Sequence, residues 1–523
     1  MGNYLNPGNS GFEEIRKSPY VDKSDLIRLI NQTIGTKQKL ICVSRPRRFG
    51  KSFATQMLCA YYDRTCDSAP LFDDLTIAGD PQYSRHLNQY DVIYLDMTGI
   101  IGETSIADMV PYIKRTIICE LTAAYPQLEV TEGFVPTLAC AARLAGRFIM
   151  VIDEWDAPIR EAKDNPKSQK DYLEFLRALF KNSAATSQIF AAVYMTGILP
   201  IKKDGSQSAI SDFREFSVLD PGEYAVFTGF TENEVETLCA QYHMDFKAAK
   251  DWYDGYSFDK VHSVYNPYSV MSAMLSGKFR SYWKKTSAAE ALLRYIDMDE
   301  DGLQDDIARL VSGEEIEIDT EGFENDFETF NSKDDVLTLL VHLGYLSYTE
   351  EEDGSGTVRI PNKEVLLEFN KILRKGTHTE LLRLIQASDR LFENTLHGNA
   401  SIVAEMIARI HDSSYSPQYY NDEQALRSVI RYAYLTCVDR YSKIEELPSG
   451  HGYADIVYLP KRKSLLPAII IELKWNKTAA GALAQIKDRN YPAVLKDYGG
   501  PLILVAISYH ARTKVHSCII EKQ

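Results

Sequence analysis

None of the eight cysteines forms a C-x-x-C pair, and no cluster of cysteine and histidine stands at zinc-ligand spacing. That excludes a zinc finger or disulfide scaffold, so the thiols read as reduced and partly buried, as in a cytosolic protein. No apolar run approaches the roughly 18 residues that span a bilayer, and the opening MGNYLNPGNS lacks a charged-then-apolar leader. The expectation is a soluble cytoplasmic protein with no membrane partner. No internal repeat or low-complexity linker is visible, and 45% hydrophobic with 25% charged residues leaves no room for collagen, wholesale disorder or a coiled-coil rod.

What is present is 523 residues, enough for three or four domains, with a net charge of −15 that is unevenly spread. Between Asp297 and Glu328 stand 14 acidic residues against Arg309 alone, whereas the last 103 residues, from Asn421, carry +5. An acidic middle and a mildly basic end still allow one domain to meet nucleic acid, DNA before RNA.

The first third alternates nearly continuous apolar runs with amphipathic stretches. The runs are KLICVS (Lys39 to Ser44), DVIYLD (Asp91 to Asp96), RFIMVID (Arg147 to Asp153) and IFAAVYMT (Ile189 to Thr196). Such runs suit strands buried on both faces of a parallel sheet. From about Thr231 helices rich in Tyr and Trp follow. Asp334 to Arg374 then reads helix, strand, turn, strand, helix, compatible with a winged-helix-like module. The last domain, from near Ser388, offers a helix at Asp422 to Asp439, strands at Ala454 to Leu459 and Ala468 to Leu473, a helix at Thr478 to Leu495, and a strand at Leu502 to Ser508. The expected divisions are 1–230, 231–387 and 388–523.

The first strand runs into Arg45-Pro46-Arg47-Arg48-Phe49-Gly50-Lys51-Ser52 and then a helix, the tail of G-x-x-x-x-G-K-[ST] with Arg45 at the first glycine's place. A loop opening a helix aims backbone N–H groups and the positive helix end at phosphate oxygens. Gly50 lets the backbone approach, Lys51 neutralises phosphate charge, and Ser52 offers a hydroxyl to Mg²⁺. Arg45, Arg47 and Arg48 read as added charge for phosphates. Asp153 and Glu154 end an apolar strand, as a metal-holding carboxylate followed by a base for water require. Thr196 ends the next strand, where a hydroxyl can sense a γ-phosphate.

In the last domain Asp455 opens a strand, and Glu472 follows seventeen residues later as IIIELKW, with Lys474 on the same strand face. PKRKSLLP between them suits a hairpin that pairs the two strands. Two carboxylates holding Mg²⁺ and a lysine acting on water are what phosphodiester cleavage needs. Gln485 and Lys487 lie on the next helix, Lys487 as a candidate phosphate contact. Glu423 on the preceding helix is a further acidic candidate, and His451 reads as a loop residue.

YVDKS (Tyr20 to Ser24), SRPRRFGKS, IDEWD, MTG, GFTENEV, WYDGYSF (Trp252 to Phe258) and YNPYSV (Tyr265 to Val270) together resemble the bacterial AAA-ATPase-like family, in order along nearly the whole chain. The resemblance implies that RPRRFGKS is the family's usual loop. It also implies an ASCE-type P-loop NTPase joined to a C-terminal, restriction-endonuclease-like PD-(D/E)XK domain, α/β throughout, with ATP and Mg²⁺ as cofactors. It carries Asp455, Glu472, Lys474 and Gln485 into site roles. Tyr453 departs from it, standing where many relatives have a basic residue.

The leading expectation is an ATPase with Glu154 as base that controls a Mg²⁺-dependent nuclease at Asp455, Glu472 and Lys474. One alternative is an ATP-switched module that only holds nucleic acid on a degenerate nuclease fold. Another is an NTPase signalling scaffold recruiting a basic protein through its acidic stretch. A homo-oligomer with Lys202, Lys203 or Arg214 reaching across an interface is also compatible.

Overall fold

The computed structural model describes residues 2–162, 165–201, 203–204, 207–208, 210, 212–283, 302–325, 330–350, 355–373, 379–414, 426–427, 429–430, 433–449, 452–461, 466–488, 498 and 500–523. The chain divides into two compact units, Met1–Lys285 with Ile316–Leu366, and Thr286–Glu315 with Leu367–Gln523.

In the first unit the four apolar runs form strands β1 (Leu40–Ser44), β2 (Val92–Asp96), β3 (Phe148–Asp153) and β4 (Phe190–Gly197), and β5 (Arg214–Phe216) joins them. The sheet order is β2-β3-β4-β1-β5, and every pairing is parallel. Side chains alternate between two cores, as strand periodicity demands. Leu40, Cys42, Met150, Ile152, Val193 and Met195 face one layer of helices, which includes Met109–Ala124 and Phe134–Ala145. Ile41, Val43, Ile149, Val151 and Tyr194 face the other, where helix α1 (Lys51–Tyr62) lies. At about 1.5–3 kcal/mol for each large apolar side chain, this double burial drives the layer order. The exposed edge of β2 is covered by the N-terminal residues: Leu5 bridges to Ile93, and Glu120 accepts the N–H groups of Asn3, Tyr4 and Leu5. Because the strands are parallel, Ser44, Asp96, Asp153 and Gly197 all reach the same end of the sheet.

After the sheet, helix α2 (Glu232–Tyr242) starts on a capping box between Thr231 and Glu234, and packs with helices Phe246–Tyr253 and α3 (Pro267–Ser276) around Phe230, Val235, Tyr253 and Val270. The WYDGYSF segment turns into a short hairpin, Tyr256–Phe258 with Val261–Val264. Helix Lys333–Leu343, strands β7 (Ser347–Glu350) and β8 (Gly356–Arg359) and helix Lys363–Leu373 follow in the expected order. An unforeseen strand, β6 (Ile316–Ile318), pairs with β8.

The second unit holds the first part of the acidic stretch. Its helix Leu303–Ser312 buries Leu303, Ile307, Leu310 and Val311, and Arg309 pairs with Asp306 and Glu314 at 3.3 and 3.1 Å. Ser388 lies within the helix Thr379–His397, and helix Ala400–Ser414 follows. The sheet here runs β9 (Tyr441–Ser449), β10 (Gly452–Pro460), β11 (Ala468–Trp475), β12 (Leu502–His510), β13 (Val515–Lys522). Only the β11–β12 pair is parallel. Strands β10 and β11 pair antiparallel, as the hairpin reading requires. Helix α4 (Ala479–Asp488) covers one face through Ile486 on Val457, Ile470 and Leu504.

Candidate nucleotide and nuclease-like sites

Residues 45–52 turn sharply from β1 into α1. Gly50 caps the helix at φ +89°, and a Cβ there would meet no atom within 4 Å, so the backbone angle alone calls for glycine. Arg48 also sits left-handed, at φ +70°; its guanidinium covers the Tyr268 ring at 4.4 Å and donates to the Tyr282 carbonyl. Lys51 is buried, and its ammonium donates to the carbonyls of Arg45 (3.1 Å) and Pro46 (3.0 Å).

Arg45 corrects the reading of the loop as uniformly phosphate-facing. It is completely buried, and its Nη1 donates to the carbonyls of Ser44, Phe216 and Ser217 while the guanidinium lies 5.0 Å from the Phe258 ring. Burial pushes its pKa down to about 10. Its charge braces β1 against the segment after β5 and is not directed at phosphates. Phe49 likewise turns inward, onto Tyr256 and Phe258, and Pro46 lies against Gly344. Arg47 and Arg48 are the half-buried cations of the loop.

At the end of β3, burial pushes the Asp153 carboxyl up to about 6, against the opposing pull of the Ser52 hydroxyl and Lys51. Thr55 donates to Asp153 Oδ2 at 3.2 Å, while Oδ1 is buried and, among the described residues, has no hydrogen-bond partner. Glu154 adopts φ +52°. Burial raises its pKa, but Lys51 (3.6 Å), Arg160 (2.5 Å) and Arg47 outweigh that and hold it below the usual range. Arg160 lies on the short helix Ala157–Glu161 and also pairs with Asp156 at 3.1 Å. Asp156 in turn accepts the N–H groups of Ile198 and Leu199. Gly197 is required for space, since a Cβ there would lie 2.6 Å from both Asp156 Oδ1 and Trp155 Cδ1. Sequence reading missed Thr55, Asp156 and Arg160. The available signals were helical spacing, three residues from Ser52 to Thr55 and four from Asp156 to Arg160.

Thr196 is a second correction. Its side chain is closed to solvent, and its hydroxyl donates to the Val43 carbonyl at 2.8 Å, so it ties β4 to β1.

A cavity of about 470 Å³ opens beside the loop, a size suited to a small organic ligand. Gly50, Lys51 and Ser52 form one wall, and Tyr20, Phe230 and Met271 contribute to the apolar remainder. The YVDKS and GFTENEV segments meet here: Lys23 pairs with Glu234 at 2.6 Å and donates to the Val226 carbonyl. The donor set fits magnesium and a polyphosphate, with an exposed Ser52 hydroxyl, the unpartnered buried Asp153 Oδ1, and Lys51 at a helix start. Among the described residues no group of three or more His, Cys, Asp or Glu could hold a metal. A divalent ion would therefore take other ligands from phosphate and water, as Mg²⁺ does.

In the second unit, alternation puts Asp455 on the sheet face of Val457, and Glu472 and Lys474 on that of Ile470, the one face that α4 covers. The β10–β11 register reaches Ile456 and Ile471; one step on, the Asp455 carboxylate accepts the Leu473 N–H at 2.7 Å. Glu472 is buried, and Lys474 Nζ donates to its Oε1 at 3.0 Å. Arg427, which sequence reading missed, donates to Asp455 Oδ1 at 3.0 Å. Gln485 is half-buried on α4. Lys487 is not directed at the carboxylates: it pairs at 2.7 Å with Glu521 on β13, two strands from β11. Glu423, His451 and Lys202 lie outside the described residues, as does the side chain of Lys203. Arg214 pairs with Glu223 at 3.2 Å. Among the described residues no helix is long and apolar enough to cross a membrane.

Residues 7–206 match the family model of a predicted AAA-ATPase, and residues 421–518 match that of the PD-(D/E)XK nuclease superfamily. The chain is 24% identical over 525 residues to an uncharacterised protein of the vnfD 5′ region in Azotobacter chroococcum mcd 1, spanning 96% of this chain and 95% of that relative. Among solved structures, the Walker-type ATPase PABY2304 of Pyrococcus abyssi is similar at a TM-score of 0.33 and 13% identity, over 66% of this chain and 94% of that one. The ORC2 protein of Aeropyrum pernix is similar at a TM-score of 0.24 and 11% identity, over 70% and 93%. With a parallel sheet ending in its phosphate loop and a mixed sheet carrying its Asp and Glu-x-Lys, the chain joins an AAA-ATPase-like domain to a domain of the PD-(D/E)XK nuclease superfamily.

Proposed function

We propose that the first unit binds and hydrolyses Mg·ATP beside residues 47–52, and that this controls phosphodiester cleavage of DNA at Asp455, Glu472 and Lys474. The observation that carries the ATP reading is the cavity walled by the start of α1, with Lys51, Ser52 and Glu154 lining it. Bound Mg²⁺ would supply positive charge to the reacting phosphoryl group. Ser52 and Asp153 would hold it. Lys51 exchanges the carbonyls of Arg45 and Pro46 for phosphate oxygens, and Glu154, its carboxylate oriented by Arg160, takes the proton of the attacking water. The apolar wall excludes water from the base and sugar. In the second unit Asp455 and Glu472 would hold the divalent ion, and Lys474 orients water.

Phosphate release and cutting of a labelled DNA duplex, measured on the full chain with Mg²⁺, test the reading. Lys51→Ala should abolish the first and Lys474→Ala the second. An intact chain that binds nucleotide but performs neither reaction overturns it.

A second reading, a nucleic-acid-holding module without cleavage, draws on Asp455: Arg427 and the Leu473 N–H already engage both its oxygens. It predicts DNA binding by wild type and Lys474→Ala alike, with no cleavage by either.

A further inference from the structure

Asp455 and Glu472 are two largely buried carboxylates on neighbouring strands, an arrangement that repels itself unless cations intervene. Two do. Arg427 holds Asp455 at 3.0 Å, and Lys474 holds Glu472 at 3.0 Å. Among the described residues these four charges sum to zero without any metal.

A divalent cation entering between the carboxylates would place two further positive charges beside Arg427 and Lys474 in a poorly solvated setting. Such an excess weakens binding until a cation leaves or an anion arrives. The two cations differ in their freedom to leave. Lys474 is fixed two residues from Glu472 on the same strand, whereas Arg427 reaches Asp455 from a separate segment preceding the sheet. A guanidinium also matches a phosphate with two parallel donors, which an ammonium does not.

We propose that Arg427 is the counter-ion a divalent metal displaces from Asp455, and that the released guanidinium grips the backbone phosphate of the nucleic acid at the cleavage site. This rests on the reading of Asp455 and Glu472 as the metal site. Metal and nucleic acid then bind with positive coupling, each raising the other's affinity by the same factor. The empty site stays closed to metal until its substrate is present, which restrains cutting elsewhere.

The test is Mn²⁺ binding, followed by the electron paramagnetic resonance of the free ion, on full-length nucleotide-free protein. Every sample carries Asp153→Asn, so that the first unit contributes no metal site. Adding Arg427→Gln should tighten Mn²⁺ about tenfold, and adding Asp455→Asn to that should abolish the gain. Unchanged or weaker affinity in a folded Arg427→Gln protein overturns the proposal. A measurement that needs no Arg427 variant is the Mn²⁺ affinity of the Arg427-intact protein with and without an uncleavable phosphorothioate DNA duplex. Several-fold tightening on adding DNA supports displacement, and no change overturns it. Cleavage enters neither readout. A chain that shows both shifts yet never cuts DNA retains this inference and loses the nuclease reading, and cutting with unchanged Mn²⁺ affinity does the reverse.

Discussion

Arg160 meets Glu154 at 2.5 Å and Asp156 at 3.1 Å, so one guanidinium links the residue after β3 to the carboxylate that receives the Ile198 and Leu199 N–H groups after β4. The ends of two central strands are thereby fixed relative to each other. Asp156 is 1% exposed, so removing its cation leaves a buried charge with only backbone donors. Arg160→Gln should destabilise the first unit by about 3 kcal/mol, the usual cost of breaking one side of a buried pair. A urea titration of tryptophan fluorescence measures it, Trp155 lying between the two acids. In assays of ATP turnover, kcat should fall more than KM rises, because Glu154 loses its setting while Lys51 and Ser52 keep theirs. Loss of binding and turnover in equal measure would make Arg160 purely structural.

Gly50 and Gly197 should respond to alanine for different reasons. At Gly197 the new methyl meets Asp156 and Trp155 at 2.6 Å, an overpacking expected to cost about 1–3 kcal/mol. At Gly50 there is space, and only the left-handed angle is penalised, by about 1 kcal/mol. Thermal melts should therefore fall further for Gly197→Ala. ATP-analogue binding should fall further for Gly50→Ala, where a methyl stands between backbone and phosphate.

Restoring the glycine that the standard phosphate loop carries at position 45 should harm this protein. Arg45→Gly removes three donations to buried carbonyls and the contact with Phe258. Carbonyls left unpaired cost about 1–3 kcal/mol each. The variant should melt well below wild type, and Arg45→Lys, with a compact ammonium, should recover only part of the loss. An Arg45→Gly protein as stable as wild type would mean that the strut carries little.

Elements buried on two sides were legible in the sequence. The runs at Leu40–Ser44, Phe148–Asp153 and Ala468–Trp475 admit few polar residues because no face of theirs meets water. Strands with mixed surfaces escaped it. REF at β5 is three residues long, IEI at β6 sits inside the acidic stretch, and YSKIEELPS at β9 alternates too weakly to stand apart from the preceding helix. The turn of residues 45–52 into a helix was readable from its spacing, as were the Asp and Glu-x-Lys on adjoining strands. Side-chain direction was not. Arg45 and Thr196 have the right chemistry at plausible positions, but their partners, Phe216 and Val43, lie 171 and 153 residues away in the chain. Arg427 was invisible for the same reason, since its partner Asp455 is 28 residues on.

Lys23 joins the segment before β1 to the helical region after the sheet, through Glu234 at 2.6 Å and the Val226 carbonyl at 2.8 Å. Burial lowers its pKa, and Glu234, with a smaller contribution from Asp22, opposes that, so the ammonium depends chiefly on Glu234. Glu234 has a second duty, since it accepts the Thr231 N–H that opens α2. Lys23→Met keeps the aliphatic stem and removes only the charge, which should leave the Thr231 cap in place while loosening Tyr20 and Val21 against Phe230. Those side chains belong to the apolar wall of the cavity and carry no group that acts on phosphate. The expected result is a KM for ATP raised about tenfold with kcat nearly unchanged, the signature of lost uniform binding. Phosphate-release kinetics across a range of ATP concentrations give both constants. A fall in kcat at constant KM would show instead that Lys23 acts on the reacting end of the nucleotide.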